Sequence, residues 1–285
     1  MNVGKVRNQG VEVEFDTTVL KAGDFSWSLY GNYATNDNEI LELAKDAQGN
    51  DINLDGGYNA SRAGRSIGAW FLRTYGGVDS TDGRPYWIIG GDETPEEGYS
   101  NEVTYSMTAA NQSWVGERIP TYSGGIGTRL NFKGLAIDAN FYFTGGHKIY
   151  ERWGWYSMQT GLLSTRYYQG DQRLMNRWQQ PGDVTDVPKM IWSTSTTTSG
   201  SGNSTRFLYD GDFVRLRDLT VSYDLPQSLL GNSGFDRVNF FVKGLNLFTW
   251  TKADLPIDPE IRTSGSWEIY TPILKSVSVG ANLKF

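Results

Sequence analysis

The sequence contains no cysteine and only one histidine, His147, among its 285 residues. Disulfide bonds and thiolate-bound metals are therefore excluded, and a single imidazole cannot build a multi-histidine metal site. A Ser-His-Asp triad is not indicated either. We predict no metal, no cofactor and no catalytic residue, and we expect His147 to be an exposed polar residue just past a strand.

Long hydrophobic runs are also missing. Hydrophobic residues make up 38% of the chain, and none of its segments approaches the ~20 apolar residues that a membrane helix needs. Alternating strands are not excluded by this, because their hydropathy signal is weak strand by strand. Met1 is not followed by the charged and apolar regions of a signal peptide, so we expect the chain to start within a longer protein.

Positive charge is scarce as well. The chain has 26 Lys and Arg against 32 Asp and Glu, for a net charge of −6. Without a basic stripe to neutralise phosphates, nucleic acid is excluded as a partner. Aromatic residues are abundant instead, at 14% with 10 Trp and 16 Tyr. Such an excess fits membrane-interface girdles, a carbohydrate-binding surface, or both.

Residues 274–285 show the clearest pattern in the chain. Side chains alternate between an apolar set that ends in Phe285 and a small, polar set. A period of two predicts a β-strand with two unlike faces. A strand of a soluble sandwich can carry the same alternation, but it seldom ends the chain at a phenylalanine on its apolar face. The strand that closes an outer-membrane barrel does, with lipid outside and water inside.

The same alternation, together with a turn at residues 79–83 between two segments in which it is poor, predicts about nine strands. They cover residues 8–20, 25–35, 65–75, 84–89, 121–132, 135–146, 212–223, 235–250 and 274–285. A bulge near Arg217 would keep the apolar residues of 212–223 on one face. The connections alternate between short ones, at 21–24, 78–83, 133–134 and 225–234, and long ones, at 36–64, 90–120, 150–211 and 251–273. This rhythm favours an all-β, antiparallel, up-and-down transmembrane barrel with short periplasmic turns and long extracellular loops.

Several segments resemble one family. Residues 206–226 (RFLYDGDFVRLRDLTVSYDLP), 244–250 (GLNLFTW) and 258–260 (DPE), with the final Phe285, resemble the carboxy-terminal end of SusC/RagA-type TonB-dependent outer-membrane transporters. Residues 8–14 (NQGVEVE) and 120–127 (PTYSGGIG) are similar to that family too. The resemblance implies that residues 1–285 are the carboxy-terminal part of a 22-stranded barrel, with the plug domain and the amino-terminal strands absent.

The resemblance also implies partners and a location. Members of this family import oligosaccharides or peptides across the cell outer membrane beneath a SusD-like surface lipoprotein. They take energy from TonB-ExbB-ExbD through their amino-terminal part, sit in outer-membrane lipid and are inserted by the barrel-assembly machinery, for which Phe285 would be the carboxy-terminal signal. The alternatives are a secreted soluble β-sandwich that binds glycans and a surface glycoside hydrolase. We predict that the chain is not an enzyme.

Aromatic residues in one long loop are the candidate ligand contacts. They are Trp153, Trp155, Tyr156, Tyr167, Tyr168 and Trp178, which lie among several arginines. Flat rings stack on sugars or peptide side chains, and arginine forks bind carboxylates. A membrane girdle or packing against the lipoprotein lid would explain the same composition.

Acidic residues suggest further possibilities. Residues 51–56 (DINLDG) look like the start of a calcium loop, but Arg62 stands where the bidentate Glu belongs, which favours a surface turn. The carboxylates of residues 92–97 and 254–260 lack a glycosidase pattern, and we expect them to be solvated. Glu12, Glu14 and Asp16 form a row that would face the lumen and meet Arg or Lys.

Overall fold

The computed structural model describes residues 4–89, 102–161, 169–192, 200, 202–231, 234–252, 254–260, 266–267 and 271–285. The strands of this part of the chain are β1 (Lys5–Gln9), β2 (Glu12–Ala22), β3 (Phe25–Thr35), β4 (Asp37–Glu42), β5 (Leu54–Asp55), β6 (Asn59–Ser61), β7 (Ala69–Val78), β8 (Pro85–Ile88), β9 (Val103–Thr104), β10 (Gln112–Gly116), β11 (Tyr122–Phe132), β12 (Leu135–Gly145), β13 (Lys148–Glu151), β14 (Leu208–Asp210), β15 (Phe213–Asp224), β16 (Arg237–Thr251), β17 (Ser266–Trp267) and β18 (Ser276–Lys284). The α-helices are α1 (Arg152–Ser157) and α2 (Gln227–Leu230), and 3₁₀ turns cover Met107–Ala109, Gln172–Asn176 and Thr205–Phe207. No described helix is long and apolar enough to cross a membrane.

Seven long strands form one antiparallel sheet in the order β18-β16-β15-β12-β11-β3-β2. Each strand pairs with its neighbour along the chain among these seven, so the sheet is a meander. Its short connections all lie at the same end of the strands, where Ala22 pairs with Phe25, Phe132 with Leu135, and Asp224 with Asn239. The two-residue turn of Lys133 and Gly134 has positive φ at both positions, as a tight hairpin requires.

One face of this sheet is apolar and exposed. Val13, Phe15, Val242, Val279 and Leu283 keep between 44% and 77% of their surface accessible. An eleven-residue strand such as β12 rises roughly 34 Å, or about 26 Å along the barrel normal at a tilt near 40°, which matches the apolar band of an outer-membrane barrel. The predicted all-β, antiparallel barrel-type fold is confirmed, with the apolar side chains facing outward.

Aromatic residues concentrate at both ends of the apolar face. One row crosses the sheet at the strand ends that the short turns connect, and it consists of Phe25, Phe132, Tyr223 and Phe240. A second row crosses the sheet near the opposite strand ends and consists of Tyr33, Phe143 and Trp250. The rings of Tyr33 and Phe143 are 6.3 Å apart. Two such rows are typical of the girdles at the membrane interfaces of a barrel.

The opposite face is polar and hydrogen-bonded. Tyr30 donates to Asp138, and Arg129 bridges Asp138 and Asp16 at 3.2 and 3.3 Å. Asp16 therefore has the arginine partner that the acidic row predicted, whereas Glu12 and Glu14 are exposed on the edge strand. The bulge predicted near Arg217 is present, because the pairing of β15 shifts between Leu216 and Asp218.

The count of nine barrel strands is wrong for the described part of the chain. The hairpin of β7 and β8 closes around residues 79–83 as predicted, but it belongs to a separate sheet with β5, β6, β9 and β10. Its residues are buried or half-buried on both faces, and Trp70, Leu72 and Trp87 are 0% exposed. A strand that is buried on both faces has no lipid side, so it loses the period of two.

The long connections pack into a loop assembly, by which we mean the described parts of residues 43–119, 146–212 and 252–267. Its apolar core contains Trp70, Leu72, Tyr150, Met158, Val187 and Phe207. The long connection predicted at residues 150–211 is therefore not a structureless loop, because its described part contributes to β13 and contains β14 and α1. Residues 193–205, a low-complexity run of mainly Ser, Thr and Gly that the sequence predicts to be a flexible surface loop, lie mostly outside the described residues.

Candidate functional site

Two arginines on the inner face of β15 hold the last long connection in place. The Arg215 side chain is 2% exposed, and it donates to Asp258 at 2.6 Å and to Glu260 at 3.1 Å. Arg217, at the bulge, also pairs with Glu260. The prediction of solvated carboxylates is therefore wrong for Asp258 and Glu260, whose side chains are 15% and 28% exposed and have the arginines as partners, whereas Asp254 is exposed. Residues 254–260 are thereby tied to the inner wall.

A second network lies inside the loop assembly. Arg173 donates to both oxygens of Glu151 and of Asp171, and also to the Tyr209 hydroxyl at 3.2 Å. Burial lowers the pKa of Arg173, but the hydrogen bonds to Asp171 and Glu151 outweigh it and raise the pKa above its usual value. The same bonds lower the pKa of Asp171, while burial raises the pKa of Tyr209. At neutral pH this network holds charged Arg173 and Asp171 beside a neutral phenol.

A cavity of about 430 Å³ opens beside this network. Its lining includes Arg173, Arg206, Asp186 and Asp254, with Tyr209 and the apolar Met158 and Phe207. Ligand sites commonly combine an apolar floor with a few fixed polar groups. Both arginines, both aspartates and a neutral hydroxyl therefore face one space of ligand size.

The structure places four of the six candidate aromatic residues. Trp153, Trp155 and Tyr156 lie on α1, where the ring of Tyr156 is 5.8 Å from that of Trp153 and 4.5 Å from that of Trp155. Trp155 also packs against the core of the loop assembly. Tyr167 and Tyr168 lie outside the described residues. Contact between these rings and a ligand stays a prediction.

Trp178 sits in a different setting, against the β7–β8 turn. Its indole N–H donates to the Ser80 carbonyl at 3.0 Å, and the Lys189 ammonium is 5.9 Å from the ring centre. A Cβ at Gly83 would lie 2.4 Å from the indole, so the ring packs directly on that glycine. Trp178 fixes a loop to the hairpin.

The other predicted positions have local roles. Arg62 donates to Asp55 at 2.7 Å and Lys45 to Asp51 at 3.0 Å, so cations neutralise the calcium-like segment. Among the described residues no group of three or more His, Asp or Glu could hold a metal. Asp92, Glu93, Glu96 and Glu97 lie outside the described residues.

His147 is buried, so the prediction of an exposed rim residue is wrong. It is 8% exposed, and a Cβ at Gly211 would lie 2.5 Å from its Nε2. Burial lowers the pKa of His147, partly offset by the negative charge of Asp212. Its imidazole is neutral at pH 7 and packs where β12 enters the loop assembly.

Known proteins resemble this chain in sequence and in fold. No family model matches it. TonB-dependent receptor P3 of Formosa agariphila is 26% identical over 308 residues, which cover all of this chain and 29% of the receptor. Receptor P26 of the same organism is 24% identical and covers 91% of this chain and 26% of its own length. The RagAB peptide transporter structure superposes over the whole chain with a TM-score of 0.81 at 24% identity, covering 30% of the solved chain. The predicted resemblance to SusC/RagA-type TonB-dependent transporters is confirmed. The chain spans less than a third of these relatives.

Segments that carry this SusC/RagA resemblance meet in space. Arg215 and Arg217 belong to residues 206–226, and Asp258 and Glu260 belong to residues 258–260. This pairing was not predicted from the sequence. The signal was two arginines at alternate positions of a strand and two carboxylates at alternate positions of a loop, 43 to 45 residues apart. An interior arginine pair in a barrel strand calls for such acidic partners.

Proposed function

We propose that residues 1–285 form the carboxy-terminal barrel portion of an outer-membrane TonB-dependent nutrient importer. The observation that carries this proposal is the seven-stranded meander, whose apolar face is exposed between two aromatic rows and whose other face is polar. A soluble β-sandwich would bury such a face against a second sheet. The relatives are receptors and a transporter, which supports a role without catalysis.

The proposed importer carries oligosaccharides or peptides. The short turns lie in the periplasm, and the loop assembly faces the cell exterior, where a SusD-like lipoprotein covers it. A plug domain in the full protein couples transport to TonB-ExbB-ExbD. Phe285 is the signal for the barrel-assembly machinery. Its ring centre is 4.9 Å from that of Phe235, at the end of the strands that carries the short turns.

Sidedness can be tested with single cysteines, because the sequence has none of its own. Gln48 is exposed in the loop assembly and Asp24 is exposed in a short turn. A membrane-impermeant maleimide should label Gln48→Cys on intact cells and Asp24→Cys only after the outer membrane is opened. Labelling of both variants in the culture supernatant would instead support the secreted glycan-binding protein.

Transport requires a second experiment on the full protein. Cells that lack ExbB should lose uptake of the cargo, as should cells that lack the transporter. Alanine variants of Trp153, Trp155, Tyr156 and Trp178 then separate ligand contact from lid contact. Loss of uptake with the lipoprotein still co-purifying supports ligand contact, whereas loss of co-purification supports lid contact. Unchanged uptake without ExbB contradicts the proposal.

A further inference from the structure

Arg206 is one of the residues that line the cavity of the loop assembly, and its side chain has a hydrogen-bond donor without a partner. Its Nη1 donates to the Gly200 carbonyl at 2.7 Å. Its Nη2 is buried and has no hydrogen-bond partner among the described residues. A buried guanidinium donor without an acceptor is unfavourable by itself. This donor therefore calls for an acceptor that the described chain does not supply.

The guanidinium of Arg206 is held in a fixed orientation. Its carbon lies 5.1 Å from the ring centre of Phe207 and 5.5 Å from that of Tyr75. Burial lowers the pKa of Arg206, but an arginine in a protein remains charged at neutral pH. The group is thus a preoriented cation, which loses little conformational freedom when it binds an anion.

Arg173, the other arginine of the cavity, differs in its hydrogen bonds. Its Nε and both of its terminal nitrogens donate to carboxylates, and Nη1 also donates to Tyr209. These contacts engage all three nitrogens of the guanidinium. Arg173 therefore shapes the wall, and Arg206 is the cation with a donor to offer.

Acidic groups line the same cavity. Asp186 and Asp254 face it, and Asp186 lies close enough to Arg206 to interact with its charge. The Asp186 main chain is fixed by the Tyr75 hydroxyl, which donates to its carbonyl at 2.9 Å. A space with one available cation and two carboxylates suits a ligand that carries a carboxylate next to hydrogen-bond donors.

We propose that this cavity is a subsite for a carboxylate-bearing unit of the cargo, with Arg206 as its anion contact and Asp186 and Asp254 as acceptors for neighbouring ammonium or hydroxyl groups. Its volume of about 430 Å³ is enough for one acidic sugar ring or one to two amino-acid residues. The subsite deepens the proposed importer function and rests on it. Both an acidic sugar and a peptide carry the required carboxylate.

The test uses the full transporter, purified in detergent, and isothermal titration calorimetry. One pair of probes is a galacturonate trimer and the neutral galactose trimer. The other is trialanine and its carboxy-terminal amide. We expect the acid of one pair to bind at least about tenfold more tightly than its neutral partner, because only the acid can accept a charge-assisted hydrogen bond from Arg206. The pair that shows the preference identifies the source of the carboxylate.

Variants assign the preference to Arg206. Arg206→Gln should abolish it, and Arg206→Lys should retain part of it as a point charge. The matched control is Arg237→Gln, which removes an exposed arginine at the end of the strands that carries the short turns. This variant should leave the preference for the acid probe unchanged. Equal binding of acid and neutral probes by the unmodified protein, including no binding, overturns the subsite, as does a preference that survives in Arg206→Gln. A preference that persists while ExbB-dependent uptake fails retains the subsite and rejects the transport proposal.

Discussion

The ring of Tyr30 lies across Gly127, its directly paired neighbour on the next strand of the sheet. A Cβ at position 127 would come within 2.0 Å of that ring. From this position Tyr30 reaches over β11 and donates to Asp138 at 2.8 Å. The guanidinium of Arg129 covers the ring at 4.0 Å. A glycine in the middle of a strand thereby allows one tyrosine to connect three strands on the inner face.

Replacing this glycine should displace the tyrosine. In Gly127→Ala the added methyl overlaps the ring, so the hydrogen bond from Tyr30 to Asp138 is lost and the barrel is destabilised by about 1–3 kcal/mol. The midpoint of thermal unfolding in detergent measures the effect. Gly125→Ala is the matched control, because its Cβ would be 3.2 Å from the nearest atom, in the Asn32 side chain. Equal midpoints for the two variants would contradict this account.

The ion pairs of Arg215 should control how firmly residues 254–260 are held. Arg215→Gln leaves Asp258 and Glu260 with less positive charge in a largely buried setting, and loss of one partner of a buried pair costs about 3–5 kcal/mol. We expect faster hydrogen exchange in residues 254–260. Arg237→Gln removes an exposed pair with Asp224, for which about 1 kcal/mol or less is expected. Unchanged exchange in Arg215→Gln would mean that other contacts hold this segment.

A lysine on the apolar face of β15 should destabilise the barrel, whereas a lysine on its polar face should be tolerated. Val221 belongs to the apolar face and the adjacent Ser222 to the polar face. Val221→Lys places an ammonium against hydrocarbon, at a cost of about 2 kcal/mol, whereas Ser222→Lys places it in the wet interior. The amount of folded, heat-modifiable protein in the outer membrane reports the difference. Equal yields of both variants would argue against a lipid-facing surface.

The barrel strands could be predicted because lipid and water impose a strict period of two on them. That pattern identified the seven strands of the sheet and the bulge at Arg217. In the loop assembly no such period exists. The indole of Trp70 donates to the carbonyl of Lys148, 78 residues away, and every residue of its strand is buried or half-buried. The hairpin of β7 and β8 was found from its turn, but its sheet could not be.

The candidate site was less accessible to prediction for a related reason. Arg215 belongs to the segment that carries the family resemblance, yet its partners Asp258 and Glu260 lie 43 and 45 residues away in the chain. Arg206 belongs to the same segment, and the cavity that it lines is built from residues distant in the sequence. The aromatic residues of one loop were predicted as ligand contacts from composition alone. The structure places Trp155 against the core of the loop assembly and Trp178 on a turn. Composition records which rings are present, whereas burial depends on how long loops fold together.

His147 should make the loop assembly sensitive to mild acid. Its folded pKa is lowered by burial, while in the unfolded chain it binds a proton near pH 6.5. The unfolded state therefore binds more protons as the pH falls below about 6.5, so this contribution to stability is present at neutral pH and is lost on acidification. Hydrogen bonds to Arg173 and Lys148 lower the pKa values of Asp171 and Asp210. Their contribution to stability is therefore present above about pH 4, the ordinary pKa of an aspartate, and is lost only as the pH falls below that value and through the folded pKa.

The measurement is the midpoint of thermal unfolding at pH 7.5 and at pH 5.5, in the unmodified protein and in His147→Gln. The unmodified protein should lose more stability between these two values than the variant does, because glutamine takes up no proton. Glu117 acts in the opposite direction, since burial raises its pKa, but it is common to both proteins and cancels in the difference. An equal loss in both would show that another group governs the acid response.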